Sequence, residues 1–181
     1  MSQQQWLVLG AAALLVFWMV GAHNRLVALR NAIGQAWAKV DEALRQRAGA
    51  AGPLLDALRG PLAAEHGALA AWQAALEDLQ RRSQAMSVRP VVEDHAAAWV
   101  AAEAQLAAAS SRVFALADGS AEARALPAVA EASARWHEAQ QRLAFARTLF
   151  NEAAAAYNDA IGVFPTRLLL PLFRFGRAGR V

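Results

Sequence analysis

Apolar and polar positions are distributed in two regimes. From Trp6 to Ala22 no side chain is charged, and residues 1–5 carry no Lys or Arg. At about 1.5 Å per residue this stretch makes roughly 26 Å of helix, close to the roughly 30 Å hydrocarbon core of a bilayer. Gln3–Gln5 on one side, and His23 with Asn24 on the other, extend it into the headgroup layers. Trp6 and Trp18 suit interfacial positions, with Leu7, Leu14, Leu15 and Phe17 supplying apolar surface between and beside them. The pattern predicts a single-pass membrane anchor over residues 1–23. A cleaved signal peptide is the main rival, with Val20-Gly21-Ala22 as its small-residue site, but residues 1–5 lack the basic side chains it wants. A buried core helix is the other, and it would seldom go so far without a polar face.

Beyond residue 23 the pattern becomes periodic, with four stretches each repeating every seven residues. Leu26, Ile33 and Val40 form one row, with Leu29, Ala36 and Ala43 three residues further on. This first stretch is expected to end near Gly49-Ala-Ala-Gly52-Pro53, a poor helix-continuing sequence. The second repeats Leu55, Leu62, Leu69 and Leu76, joined by Leu58, Trp72 and Leu79; Gly60-Pro61 predicts a kink near its start, and Ser87-Val-Arg-Pro90 closes it. The third carries Val92, Trp99, Leu106 and Val113 and stops near Asp118-Gly119-Ser120. The fourth places Val129, Trp136, Leu143, Phe150, Tyr157 and Phe164 seven apart, the first five followed three residues later by Ala132, Ala139, Ala146, Ala153 and Ala160. Large residues alternating with alanine let helix axes approach closely, and a sustained heptad period imposes left-handed supercoiling. The fold class is therefore all-α: an N-terminal transmembrane helix followed by an antiparallel up-down four-helix bundle over residues 24–165. The aromatic stripe reads as core packing rather than a cofactor pocket.

Composition and charge narrow the function. The chain has 181 residues, 57% of them hydrophobic, enough after the anchor for one domain with a real core. Its pI of about 10.5 overstates its basicity, because the net charge is only +3 and nearly all the basic residues are Arg. Arg alternates with Asp and Glu instead of forming a dense basic face, so nucleic acid is not an expected partner. The absence of cysteine removes thiolate and disulfide chemistry. His23, His66, His95 and His137 lie in separate segments, none four residues from another as a helical metal pair requires. No phosphate loop, no G-x-S-x-G and no carboxylate pair at an apolar site occurs; Glu103 and Glu152 are expected on solvated faces. No catalytic residue, metal ligand or cofactor site is assigned, and no enzymatic activity is expected.

Arg25, Arg30 and Lys39 follow the span while no basic side chain precedes it, which places the amino terminus outside and the body in the cytoplasm; a periplasmic body is the alternative. The tail, residues 166–181, mixes Leu and Phe with Arg167, Arg174, Arg177 and Arg180. Four helices return the chain to its starting end, so these arginines are candidates for contact with an anionic leaflet, a disordered basic terminus being the alternative.

Several segments together resemble a known family. Asn24-Arg-Leu-Val-Ala-Leu-Arg-Asn31, Ala36-Trp-Ala-Lys-Val-Asp41 and Leu44-Arg-Gln-Arg47 are similar to the signature of the LemA family. Its second half is matched by Arg142-Leu-Ala-Phe-Ala-Arg147, Phe150-Asn151, Tyr157-Asn158, Ile161 and Phe164-Pro165, and Phe175-Gly176 resembles its aromatic-glycine ending. Ala48-Gly-Ala-Ala-Gly52 and Gly60-Pro61 depart from that pattern. The resemblance implies a single-pass bacterial membrane protein with a four-helix bundle and no established enzymatic activity; one branch of the family is associated with magnetosome membranes, which implies a role in membrane organisation. Within the matching segments Arg147, Asn151 and Asn158 share a helix face. Asn31 and Asp41 are expected to pair with that row, with Arg30 beside them, across the seam of the first and last helices; a ligand or partner site on the same residues is the alternative. The expected function is a self-associating membrane scaffold of the bacterial inner membrane with a lipid bilayer, a homo-oligomer and a membrane protein as partners. The alternative is an accessory subunit of a membrane protease, hydrolase or transporter.

Overall fold

A computed structural model of the chain describes residues 3–163 and 176–181. Phe164, Arg167 and Arg174 lie outside the described residues. The described part is all-α. Helix α1 (Gln3–Leu58) is followed by a 3₁₀ turn at Ala63–Glu65, then α2 (His66–Val88), α3 (Glu93–Gly119), the short α4 (Ala121–Ala125) and α5 (Pro127–Gly162). The long helices run up, down, up and down, with α1 packed antiparallel along α5 and α2 along α3.

Helix α1 is 56 residues long, about 84 Å at the usual rise. Its apolar first part is left uncovered: the most hydropathic 18-residue window is 0% buried. Leu7, Leu14 and Phe17 are 69%, 74% and 76% exposed. A core helix is thereby excluded, and this helix is long and apolar enough to cross a membrane. Packing starts at Leu26, and the stripe Ile33, Trp37, Val40, Leu44, Arg47, Ala51, Leu54 and Leu58 is buried throughout.

That stripe corrects the boundary expected at Gly49-Ala-Ala-Gly52-Pro53. The helix continues to Leu58 with Pro53 inside it. Proline removes one backbone hydrogen bond and crowds the carbonyl four residues back, costing about 3 kcal/mol. Ala51, Leu54 and Leu58, each no more than 1% exposed, lie on the core side of these turns, and a buried leucine is worth about 2–5 kcal/mol against alanine. Packing wins. The same finding corrects the second stretch: Leu55 and Leu58 belong to α1, Gly60-Pro61 lies in the connection, and α2 begins only at His66. Leu62 fills the connection as a buried residue, its N–H bonded to the Leu58 carbonyl at 2.9 Å.

The remaining boundaries follow their local chemistry. Helix α2 ends just before Arg89-Pro90, and α3 begins with Glu93 and Asp94 in its positively polarised first turn. Ser120 closes α3 and caps the short α4, which periodicity did not reveal, by accepting the Ala123 N–H at 3.2 Å. Pro127 opens α5. Along α5 Val129, Trp136, Leu143, Phe150 and Tyr157 are all buried. Their alanine partners are too, except that Ala154 replaces Ala153 as the buried residue, the drift expected of a 3.6-residue helix read with a 3.5-residue rule.

Two aromatic layers fill the bundle axis, each with one tryptophan pair crossing a diagonal and one phenylalanine contact between neighbouring helices. Trp37 meets Trp99 edge-on at 6.0 Å and Phe150 at 5.8 Å. Trp72 meets Trp136 edge-on at 5.0 Å and Phe114 at 5.8 Å. These are favourable quadrupole geometries. Ser87 accepts the Trp37 indole N–H at 3.0 Å and Ser83 that of Trp99 at 3.1 Å, so both hydroxyls of α2 serve the first layer.

Replacing Pro53 with alanine is expected to raise stability by about 2 kcal/mol, the helix penalty less the entropy proline removes from the unfolded chain. Chemical denaturation in detergent measures it, and no gain would mean that the helix is locally open there.

Candidate functional site

The row Leu26, Ile33, Val40 extends by seven to position 47, which holds an arginine. Arg47 is 1% exposed and stands on the core side of α1. Its guanidinium donates to both oxygens of Glu103 on α3, at 2.6 and 2.7 Å, and to Oε1 of Gln140 on α5 at 2.6 Å. The Trp136 ring lies 5.6 Å from its central carbon. The expectation that Glu103 is solvated is thus corrected: its side chain is 12% exposed. It occupies a second core row of α3 with Ala96, Ser110 and Ala117, all buried. A charge taken from water needs such a bidentate partner, because unpaired burial costs several kcal/mol. Three helices therefore meet at one cation between the tryptophan layers.

The polar seam expected between α1 and α5 is arranged differently. Arg30 and Asn31 are exposed, and Asp41 pairs with Arg45 on its own helix at 3.5 Å. Arg147 lays its guanidinium 5.3 Å from the Trp99 ring centre. Asn151 and Asn158 bind the end of the chain. Asn158 Nδ2 donates to the Ala178 carbonyl at 2.9 Å while its Oδ1 accepts the Ala178 N–H at 2.8 Å. Asn151 does the same for Val181, at 2.6 and 2.8 Å. The Tyr157 hydroxyl donates to the Gly176 carbonyl at 3.0 Å. Burial pushes that phenol above its ordinary value, against a smaller opposing pull from Arg30, so it stays a proton donor through the neutral range.

The tail is correspondingly pinned. Ala178 and Val181 are buried, and Arg177 and Arg180 are exposed. Gly179 passes so close to α3 that a Cβ there would overlap Ala96 Cβ and stand 3.0 Å from Glu93 Cα. The anchor residues Trp6, Leu7, Leu14, Leu15, Phe17 and Trp18 remain on the exposed part of α1, Trp18 being the least exposed of them at 37%. Trp18, Gly21 and Arg25 share a hollow with Ala160, so the end of α5 comes back beside the end of the apolar segment.

Between α1 and α2 the bundle is open. A groove of about 830 Å³ runs past Asp41, Arg45, Ala48, Gly52, Gln80 and Gln84. Among the described residues no group of three His, Asp or Glu is placed to hold a metal ion.

This arrangement carries the motif residues noted in the sequence, from Ala36-Trp37 through Phe150-Asn151 and Tyr157-Asn158. Compared with protein families, residues 36–180 match the LemA family. The chain belongs to the LemA family. No curated protein matches it. The family match covers the bundle from the first tryptophan layer to the pinned tail.

Removing Glu103 alone, as Glu103→Ala, is expected to cost about 3–5 kcal/mol because it strands Arg47. The triple variant Arg47→Met, Glu103→Leu, Gln140→Leu should recover most of that loss, as measured by denaturant titration. Equal losses in both would mean that volume, not charge, matters there.

Proposed function

We propose that this LemA family protein is a non-enzymatic scaffold of the bacterial inner membrane, anchored by one span and associating with further copies of itself. The observation that carries the reading is the continuity of α1. One helix passes from an apolar, uncovered segment into the bundle core without a break between Ala22 and Leu26. Such a connection holds the bundle at a fixed height and angle to the bilayer, the geometry a lateral scaffold uses. Large apolar side chains left uncovered over the length of a span call for lipid around them. A signal sequence passes the same hydropathy test, and the interlock of this helix with the core favours retention over cleavage.

Arg25, Arg30 and Lys39 follow the span, and the first acidic residue is Asp41. This asymmetry supports an amino terminus outside and a cytoplasmic bundle. The buried charge is consumed in packing: Arg47 and Glu103 satisfy one another inside the core, which fits a binding role better than a chemical one. A second reading, an accessory subunit of a membrane protease, hydrolase or transporter, is favoured by the open α1–α2 groove, wide enough to receive part of another chain.

Crosslinking in intact membranes with mass spectrometry separates the two: homotypic crosslinks are expected for the scaffold, one dominant foreign partner for the accessory. A reporter fused after Val181 is expected to be active only when cytoplasmic, and protein recovered free of the membrane and starting at His23 would end the anchored reading.

A further inference from the structure

The asparagine row on α5 has the spacing of an extended backbone. Residues seven apart on a helix stand about 10.5 Å apart along its axis, and residues three apart in an extended chain stand about 10 Å apart. Asn151 and Asn158 use this match, each closing a donor–acceptor pair with the main chain of Val181 and of Ala178. An asparagine amide has a donor and an acceptor side by side, as a peptide group in a neighbouring strand does. The row therefore reads main chain, and selectivity falls to the positions between. Gly179 is required by the approach to Ala96 and Glu93, Ala178 and Val181 are buried, and Arg177 and Arg180 face outward. Main-chain bonds supplying affinity, with small pockets supplying choice, is the general mode of extended-peptide recognition.

We propose that the cleft between α5 and the first turn of α3 is an extended-peptide site, filled in cis by residues 176–181 and able to take the same residues of a second copy. This rests on the scaffold reading and gives its self-association a specific contact. The contacts made in cis and in trans are identical, so the balance is set by effective concentration. Twelve residues separate Val163 from Gly176, a reach of at most roughly 40 Å. Helices packed 8–10 Å apart make a bundle about 20–25 Å across, so a neighbouring cleft lies within that reach. Copies anchored in one membrane plane carry their clefts at one height, which favours exchange as lateral density rises.

Complementary full-length copies in detergent test it. The first carries Gly179→Leu, which excludes its own tail and leaves the cleft intact; the second carries Asn151→Ala with Asn158→Ala, which disables the cleft and leaves the tail intact. A fluorescent peptide with the sequence of residues 176–181 is expected to bind the first copy at least tenfold more tightly than the second. Tagged first copy is expected to capture untagged second copy, while neither captures itself. Peptide binding without capture would confine the cleft to its own tail and overturn exchange. No peptide binding to a first copy of native helicity and melting temperature would overturn the site; if that variant unfolds, a chain ending at Phe175 takes its place as receptor. Homotypic membrane crosslinks that persist in the Asn151→Ala, Asn158→Ala protein, together with failed capture, would leave self-association standing and end tail exchange.

Discussion

A cation in the middle of a hydrocarbon bundle is the constraint around which this protein is organised. Arg47 is buried as completely as the leucines in its row, and it can stay there only while Glu103 and Gln140 hold it. Apolar side chains tolerate small slips along a helix, because one methyl contact replaces another. A bidentate ion pair does not. It requires α1, α3 and α5 to be at one height, and the tryptophan layers above and below are then set in register. The interaction contributes specificity of arrangement more than net stability, since its Coulombic gain is largely offset by desolvation.

From that fixed centre, order spreads along α1 and along α5. Toward the amino terminus, α1 leaves the bundle without a turn and becomes the uncovered apolar segment, so any tilt of one is a tilt of the other. Along the same side, α5 extends beyond the α2–α3 hairpin, and the tail covers part of what the hairpin leaves open. The covering is narrow: two asparagines, one tyrosine and a glycine that lets the backbone touch α3. A lid made of so few contacts is exchangeable in a way the Arg47 centre is not.

Much of this was legible in the chain. Seven-residue rows identified Trp99, Leu106 and Val113 on α3 and Val129, Trp136, Leu143, Phe150 and Tyr157 on α5 as core, because heptad spacing is a property of one helix and needs no knowledge of its neighbours. The same rule, carried two steps past Val40, lands on Arg47 and Leu54; following the row instead of stopping at Gly49 would have exposed both the buried arginine and the continuation of α1. Glu103 was reachable in the same way, standing seven residues from Ala96 and from Ser110. The boundary at Pro53 was misjudged because a breaker residue states a cost of about 3 kcal/mol but is silent on the leucines that outweigh it.

The sequence by itself determined the all-helical class, the apolar first segment, the aromatic core and the family, since each is written in the order and period of neighbouring residues. Only tertiary structure decided what the polar residues do. Asn151 and Asn158 share a face in either view, yet whether they meet α1 or an extended tail depends on which segment returns to that face. Hydrogen bonds are directional and short, so their partners are chosen by the folded geometry, whereas burial of an apolar stripe asks only that something apolar be there.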